Sequence, residues 1–446
     1  MALTLPAHPD PLTERLHASG LLHELAHGLG GPFHYLLPER FATNLAAFRA
    51  ALADARVEGR VYYAKKANKA GAFIDRCAAA GAGVDVASLG ELREALGHGV
   101  RGEDLVVTGP AKSEQLLSVA VRQGALIAVD ALDELDRLLA RTGERPARVL
   151  LRRHPPSQRR SRFGLDDAQL QQALDRCARA GDTVRMEGFS FHLSGYEIQA
   201  RADLAGELVE LCLKARMSGL QADRISIGGG FPVDYVAADT WDAFLTEQGP
   251  AHYHGQKSFA AGDFYPYHSP VAGSDALRAI LAARPGGTGA SLATRLREAG
   301  VMLLLEPGRA LLDRAGASVF RVQGVKDRTG YGIVTVDGTS LSLSEQWFDS
   351  EYLPEPQLLP ARSAETTPGP FPACVGGASC LDSDLLTWRK VPFPARPRVG
   401  DLLVYPNTAG YQMDSNESPF HELPLPPKVV IDHPDGGSRP RWRLDR

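Results

Sequence analysis

Cysteine is scarce and unpatterned in this chain. Five cysteines occur among 446 residues, and no two of them show the CxxC spacing of zinc sites and redox motifs. This distribution argues against a disulfide framework and against a cysteine-rich metal centre. Two histidines in "HYHG", His252 and His254, have no third ligand close by in the sequence, so we predict no bound metal.

An excess of charge and a long apolar run are also lacking. The formal net charge of −4 gives no reason to expect a nucleic acid or an anionic membrane as a partner. The opening "MALTLPAHPDPL" has no basic segment followed by an apolar stretch, and no run is apolar enough to span a bilayer. We therefore expect a cytoplasmic protein that binds neither nucleic acid nor membrane.

What the chain does have is a series of short apolar runs separated by stretches with helical spacing. A length of 446 residues fits roughly two domains. Alternation of eight strands with helices predicts an α/β fold, a (β/α)8 TIM barrel. The eight runs are "VYYAKK", "GVDVAS", "DLVVTG", "LIAVD", "RVLLRR", "GFSFHL", "RISIGGG" and "VMLLLEPG".

The composition of the sequence changes after the last of these runs. Sequences such as "ASVFRVQGVKD", "YGIVTVDG", "GDLLVYPN" and "PKVVIDH" are rich in β-branched residues and bounded by turns, which predicts a C-terminal all-β domain of the sandwich or barrel kind. We place the barrel at residues 46–312, and a β-rich domain at residues 1–45 and 313–446. An aromatic-rich insertion at about 233–295 is interpreted as a surface excursion packed on the barrel, with a lid or docking surface as the alternative.

Two adjacent lysines end the first run, "VYYAKKANKAG". Side chains alternate between the faces of a strand, so Lys66 and Lys65 would point to opposite sides. A lysine directed into a site is costly unless it is neutral, paired or used covalently. In a barrel, all strand ends meet at the C-terminal rim. The rim would therefore collect Lys66, Asp85, Arg152, His192, the triple glycine 228–230 and the "EPGR" of 306–309.

These residue types together suit a phosphorylated ring cofactor. Glycines after a strand let backbone N–H groups approach a phosphate, and Arg309 adds a guanidinium suited to the same group. Glu306 could pair with a protonated ring nitrogen, His192 could stack on the ring, and Lys66 could form an imine. The parts match pyridoxal 5'-phosphate.

Seven motifs occur in the order "YYAKKAN", "VDVASLGE", "FHLSG", "GGGFP", "EPGR", "CLDSD" and "AGY". In these motifs, over roughly residues 40 to 425, the chain resembles the fold type III (alanine racemase-like) PLP-dependent decarboxylases, the diaminopimelate, ornithine and arginine decarboxylase family (group IV). The resemblance implies a homodimer whose two active sites lie at the subunit interface.

The resemblance also implies roles for individual residues. Lys66 would form the Schiff base and Glu306 would pair with the pyridine nitrogen, while Cys380, from the partner subunit, would deliver a proton after carbon dioxide leaves. The other residues implied to hold the cofactor are Asp85 with Glu91, Arg152, His192, Ser194, Gly228, Gly229, Gly230, Gly308, Arg309 and Tyr411.

Some positions depart from the family pattern. Leu381 stands where diamine-forming members carry an acid that grips the distal amine, and Asp382 and Asp384 are the acids nearby that could substitute. In "HLSGY" the serine precedes the glycine, the reverse of the family's usual order, which changes the position from which Ser194 would contact the phosphate. The segment "DGTSLSLSEQWFDSEY" also differs from the family's substrate-contacting segment. These departures indicate a divergent member that acts on an amino acid or on an amino-acid moiety of a larger siderophore-type, antibiotic-type or carrier-bound precursor.

Two alternatives stay open. An amino-acid racemase or epimerase of the same fold needs a base on each face of the ring and has no need of a "CLDSD" loop. A non-catalytic regulatory homologue would be expected to lose Lys66 or the phosphate cradle first, and both are present.

Overall fold

A computed structural model describes residues 3–141, 145–343, 350–361, 368–432 and 440–445. Before the barrel, the chain forms α1 (Pro11–Ala18), α2 (Leu21–Leu29), β1 (Phe33–Leu36) and α3 (Pro38–Asp54). None of the helices in the described ranges is long and apolar enough to cross a membrane.

The predicted barrel is confirmed. In the described residues, eight parallel strands close on themselves in chain order, and each predicted run contributes one strand. The strands are β2 (Gly59–Ala64), β3 (Gly83–Val86), β4 (Leu105–Val107), β5 (Leu126–Val129), β6 (Ala147–Arg152), β7 (Val184–Ser190), β8 (Arg224–Ser226) and β9 (Met302–Leu305). Pairing of β2 with β9, Val61 opposite Leu305, closes the ring.

Helices follow the strands and cover the outside of the barrel. They are α4 (Gly71–Ala80), α5 (Leu89–Gly97), α6 (Glu114–Gln123), α7 (Leu132–Leu139), α8 (Asp167–Arg179), α9 (Ile198–Met217), α10 (Ala238–Glu247), α11 (Gly273–Ala282) and α12 (Leu292–Ala299). Their apolar faces and the outward strand residues form one large core. A second, smaller core inside the barrel consists of Tyr62, Val106, Leu126, Leu150 and Leu304.

The predicted β-rich part is a mixed sheet. Its strands are β10 (Gly316–Arg328), β11 (Tyr331–Val336), β12 (Gln357–Leu359), β13 (Pro368–Gly376), β14 (Leu385–Ala395), β15 (Leu402–Tyr405), β16 (Lys428–Asp432) and β17 (Arg441–Leu444). Strand β1, from the opening segment, lies between β10 and β16 in this sheet. The domain limits 46–312, 1–45 and 313–446 stay predictions.

The aromatic part of the insertion packs against this sheet, whereas its second half, with α11 and the start of α12, packs in the large core of the barrel. Tyr253, Phe264 and Tyr267 are buried in a core with Val322 and Phe393 of β10 and β14. The aromatic side chains of the insertion are thus buried, while many of its other residues are exposed, and it contains α10, α11 and the start of α12 together with short 3-10 turns. Aromatic side chains suit such a role because each buries a large apolar area.

Candidate functional site

Lys66 lies on a 3-10 turn, Lys65–Ala67, directly after β2. Tyr62 faces the interior of the barrel and Tyr63 faces the helices, so strand alternation holds as far as Ala64. The two lysines separate as predicted, although through the turn and not through the strand. Lys65 is buried and its Nζ lies 2.8 Å from Glu94 Oε2, whereas Lys66 is accessible to solvent.

A group of charged side chains surrounds Lys66 at the C-terminal rim. The surrounding protein removes part of the water around Lys66, although its side chain still reaches solvent, and this desolvation on its own would lower the pKa of Lys66. The nearby Tyr411, Asp85 and Glu306 outweigh it and raise the pKa. The ammonium form is therefore favoured in this structure. The rim brings together residues that lie far apart in the sequence, as the barrel prediction requires.

Asp85, at the rim end of β3, is buried and accepts a hydrogen bond of 2.6 Å from Thr108 Oγ1. Burial and the charge of Glu306 raise the pKa of Asp85 to about 7, and Lys66 partly opposes that rise. A carboxyl group in this state can exchange a proton near neutral pH. Glu91, the other acid of this motif, accepts a hydrogen bond of 2.7 Å from the backbone N–H of Ala87 and so supports the turn after β3.

Glu306 follows β9 and points toward β8. Its Oε1 accepts a hydrogen bond of 2.6 Å from Ser226 Oγ, and its backbone N–H donates to Gly228 O at 2.9 Å. Burial raises the pKa of Glu306, while Ser226, Arg152 and Lys66 favour the charged carboxylate. Ser226 thus fixes the orientation of the carboxyl group and partly opposes the effect of burial on its pKa.

Arg152 and His192 complete the rim. Arg152 Nη1 lies 3.1 Å from Asp130 Oδ1, and its guanidinium lies over the Phe163 ring at 4.4 Å. Burial, with the charges of Lys66 and Arg152, lowers the pKa of His192 to about 3. The imidazole is therefore neutral at physiological pH and offers a flat, uncharged ring face.

The triple glycine forms a tight turn that side chains would obstruct. A Cβ atom at Gly228, where φ is 66°, would lie 2.8 Å from His192 Nδ1, and one at Gly229 would lie 2.6 Å from Glu306 O. The turn is held from below by Arg201, whose guanidinium donates to the carbonyl groups of Ile227, Gly195 and Gly230 at 3.1, 3.0 and 3.3 Å.

Gly308 lies close to Tyr411 and, like the triple glycine, leaves no room for a side chain. A Cβ atom at Gly308 would lie 2.8 Å from Tyr411 Oη, and the backbone N–H of Tyr411 donates to Ala67 O at 2.8 Å. The segment 410–412 from the β-rich part thus contacts the turn that carries Lys66. The triple-glycine turn thus lies beside Glu306, and Gly308 lies beside the turn that carries Lys66, an arrangement that would suit a phosphorylated ring.

Arg309 is buried and makes several contacts. Its Nη1 donates to Gly410 O at 2.9 Å and to Gln412 Oε1 at 3.2 Å, and its guanidinium lies 4.0 Å from the Tyr265 ring centre. It therefore fastens segment 410–412 and the aromatic insertion to the barrel. A phosphate contact by Arg309 stays a prediction.

The contacts of Ser194 and Cys380 are with other residues than those around Lys66. The backbone of Ser194 is bound on both sides by the Gln158 side chain, at 3.2 and 2.9 Å. Cys380 is exposed, and among the described residues its side chain pairs with His421 and not with the group around Lys66. The partner-subunit role of Cys380 stays a prediction.

The three candidate substrate residues differ in accessibility. Leu381 is 50% exposed, and Asp382 is also exposed. Asp384 is buried, and its two carboxylate oxygens accept backbone N–H groups of Ser340 and Ser379 at 2.7 and 3.1 Å. Asp384 therefore supports the loop, and Asp382 is the acid that remains accessible. Residues 344–349 of the divergent segment after "VDG" lie outside the described residues.

Several supporting residues were not found from the sequence. Thr108 and Asp130 follow strands β4 and β5, so the same strand-end rule would have identified them. Ser226 is a buried polar residue within an apolar strand, which is also a visible signal. Arg201 and His421 carried no such signal, because their contacts join segments that are distant in the chain.

The described donors and acceptors suit pyridoxal phosphate. A carboxylate fixed by Ser226, a neutral His192 ring, two glycine turns with no room for a Cβ atom, and an accessible Lys66 lie at one end of one barrel. Each is a group of the kind that could contact this cofactor.

Comparison with known proteins gives the same result. Residues 39–248 match the family described as pyridoxal-dependent decarboxylase, pyridoxal binding domain. The chain is 40% identical to the uncharacterised protein y4yA of Sinorhizobium fredii, over 93% of this chain and 91% of that protein. It is 28% identical to diaminopimelate decarboxylase of Deinococcus radiodurans, over 92% of each.

Solved structures show the same fold. Diaminopimelate decarboxylase from M. jannaschii, in complex with L-lysine, superposes with a TM-score of 0.72 at 19% identity, covering 92% of this chain and 89% of that one. Lysine/ornithine decarboxylase from Vibrio vulnificus, with putrescine, gives 0.69 at 19% identity, covering 93% and 98%. From its relatives and from its seven ordered motifs, this chain belongs to the pyridoxal-dependent decarboxylase family, whose members are carboxy-lyases that use pyridoxal 5'-phosphate.

Proposed function

We propose that the protein removes the carboxylate from an amino acid, or from an amino-acid moiety within a larger siderophore-type, antibiotic-type or carrier-bound precursor. The observation that carries this proposal is the group at the barrel rim, where Lys66, Asp85 and a Glu306 carboxylate fixed by Ser226 interact. These are the charges that decarboxylation on this cofactor uses.

Different residues of this chain would bind the cofactor and transfer the proton. Glu306 would hold the ring nitrogen, His192 would lie against the ring, and the two glycine turns would receive the phosphate. Pyridoxal phosphate, when bound, supplies the electron sink for the electron pair that remains when carbon dioxide leaves. Lys66 would bind the cofactor and yield its place to the substrate amine, and Cys380 of the partner subunit or Lys66 would then return a proton to the substrate carbon.

The loop around Leu381 supports an unusual substrate. An apolar, half-exposed side chain cannot pair with a distal ammonium group, and the nearby Asp384 carboxylate is already used by backbone N–H groups. A simple diamino acid would therefore lack its charged partner at position 381, and Asp382 is the accessible acid nearby.

A basic loop at the rim adds to this argument. Gln158 joins the loop to Ser194, and Arg159, Arg160 and Arg162 are exposed beside it. Guanidinium groups disfavour a second cationic group on the substrate and favour carboxylate or phosphate groups. The charge of this loop is consistent with a larger, anionic conjugate.

The test is carbon dioxide release by the purified protein loaded with pyridoxal phosphate. The panel contains L- and D-amino acids, the four diamino or guanidino acids lysine, ornithine, arginine and diaminopimelate, and larger conjugates that carry an amino-acid end. We expect release from a conjugate and little from the four free acids. Lys66→Ala is the matched inactive control.

Other outcomes would overturn the proposal in different ways. Best activity on a free diamino acid would refute the conjugate substrate while leaving the decarboxylase. Absence of release from every compound, with exchange of the α-proton in deuterated water, would favour a racemase or epimerase. Neither reaction, with no cofactor bound at Lys66, would favour the regulatory homologue.

A further inference from the structure

A cavity of about 540 Å³ lies at the end of the barrel opposite to Lys66. Its walls are formed where the strands begin: Arg60 stands at the start of β2, Asp104 directly before β4, and Arg148 at the start of β6. The described residues that line it are Arg60, Arg101, Glu103, Asp104, Gly124, Arg145, Pro146, Arg148 and Arg185. Cavities that bind small molecules are typically of this size.

An apolar layer separates this cavity from the cofactor site. Arg60 and Tyr62 lie two residues apart on β2, and Arg148 and Leu150 two residues apart on β6, so each pair shares the interior face. Tyr62 and Leu150 belong to the small apolar core inside the barrel. The cavity is therefore a separate site from the rim that carries Lys66.

Positive charge is in excess around the cavity. Among the residues that the structure describes, five arginines and two carboxylates line it. Behind the wall, the buried Glu187 carboxylate is shared by three guanidinium groups, from Arg148 at 2.7 Å, Arg185 at 2.9 Å and Arg224 at 3.2 Å.

The two carboxylates of the lining are paired as well. Glu103 lies 3.0 Å from Arg101. Asp104 is buried, accepts a hydrogen bond of 2.8 Å from Arg101 and also pairs with Arg60. When several guanidinium groups share one carboxylate, N–H donors and positive charge remain for a further anion.

We propose that this cavity binds a small polyanion of the diphosphate type. Guanidinium groups present planar pairs of N–H donors that match phosphate oxygens, and arginine is the residue most suited to such recognition. The cavity is larger than one phosphate group needs, and its arginines stand on several different strand ends, so a ligand with two adjacent phosphates would contact more of them. Because the site lies at the opposite end from Lys66, it would take a ligand other than the substrate or cofactor.

The experiment is isothermal titration of the full-length protein, already saturated with pyridoxal phosphate, with inorganic pyrophosphate. Saturation keeps pyrophosphate out of the cofactor's phosphate site. The test variant is Arg101→Gln with Arg185→Gln. Both side chains are exposed, at 67% and 48%, and the buried carboxylates Asp104 and Glu187 keep Arg60, Arg148 and Arg224. Glu103, the other partner of Arg101, is itself exposed. The matched control is Arg179→Gln, an exposed arginine on α8.

We expect saturable binding that weakens with added salt, about a tenfold or larger loss of affinity in the double variant, and no change in the control. Carbon dioxide release by the double variant without pyrophosphate should equal that of the unmodified protein. The titration measures pyrophosphate binding directly, so its outcome does not depend on the proposed substrate. If the double variant unfolds at a lower temperature, the single Arg185→Gln variant takes its place, with a smaller loss of affinity expected.

Two results would overturn the proposal: no binding at millimolar pyrophosphate, or equal binding by all variants. A parallel titration with ADP and adenosine identifies the source of the diphosphate. Tighter binding of ADP than of pyrophosphate would indicate a nucleotide site. Binding of adenosine with no dependence on the two arginines would contradict recognition of the diphosphate.

Discussion

The Sγ atom of Cys380 lies 3.0 Å from Nε2 of His421, and the backbone N–H of Cys380 is directed at the same nitrogen at 3.4 Å. Cys380 is exposed on the loop after β13, while His421 lies on a short turn and is held against Phe420, with ring centres 4.2 Å apart. A histidine at hydrogen-bonding distance can accept a thiol proton or stabilise the thiolate. The reactivity of Cys380 should therefore depend on His421.

Replacement of His421 by Asn should slow alkylation of Cys380 by iodoacetamide several-fold at neutral pH, because the thiolate loses its neighbour. The measurement is the rate of labelling followed by peptide mass analysis. The other cysteines, Cys77, Cys177, Cys212 and Cys374, are buried, so the fast label reports Cys380. Cys380→Ser is the control that removes the label, and an unchanged rate in His421→Asn would refute the pairing.

Subunit mixing tests where Cys380 acts. In one chain Cys380 contacts His421, whereas Lys66 lies among Asp85, Tyr411 and Glu306. If active sites are shared between subunits, Lys66→Ala and Cys380→Ala proteins should each be nearly inactive, and their mixture should recover part of the activity after subunit exchange. Analytical ultracentrifugation gives the oligomeric state. A mixture no more active than its components would argue that each chain completes its own site.

The barrel and its rim could be predicted because both follow from local patterns. Strands buried on both faces are short continuous apolar runs, and the residues that end them meet at one rim. Lys66, Asp85 and Glu306 were found in this way. Strand β13, with the sequence "PGPFPACVG", was not predicted, since proline within a run argues against a strand, yet it pairs with both β11 and β14.

Contacts between distant segments were beyond the sequence. Arg201 lies in the middle of a long helix, α9, and supports the glycine turn only because the fold places that helix below it. The packing of the aromatic insertion on the β-rich sheet likewise depends on the positions of two parts of the chain. Such relationships carry no local spacing that would reveal them.

Ser226→Ala should shift the pH dependence of decarboxylation. The hydroxyl of Ser226 donates to the Glu306 carboxylate at 2.6 Å and favours its charged form, so loss of this bond should raise the pKa of Glu306 further. The acidic limb of the pH–rate profile should then move to higher pH. Glu306→Gln, which cannot carry the charge, should lose activity a hundredfold or more across the range. If Ser226→Ala lowers the rate by the same factor at every pH, with the acidic limb unmoved, this role is contradicted.

Gly308→Ala should weaken cofactor binding with little effect on the fold. The new methyl group would lie 2.8 Å from Tyr411 Oη and 3.1 Å from the Cβ atom of Ala67, so the turn beside Lys66 must shift. The measurement is cofactor retention after dialysis, followed by absorbance of the bound group. Gly97→Ala, on α5, meets no atom within 4 Å and is the matched control. Equal retention by both variants would show that this glycine has no part in the cofactor site.

His34 should make the protein less stable in mild acid. It is fully buried on β1, with Nδ1 2.8 Å from Ser318 Oγ, and burial together with the charge of Lys428 lowers its pKa to about 3. In the unfolded chain histidine titrates near 6.5. Between these values only the unfolded state binds the proton, so the stability contributed by the neutral ring is present above pH 6.5 and is lost as pH falls toward 3.

A single histidine of this kind contributes about 1 kcal/mol of destabilisation for each pH unit near pH 5. The measurement is the urea midpoint at several pH values from 7.5 to 5. His34→Gln should reduce the slope of stability against pH, whereas His27→Gln, an exposed position on α2, should leave it as it is. If both variants keep the full slope, the acid sensitivity must come from another buried group, and His192, whose pKa is also lowered to about 3 by burial, would be the next residue to replace.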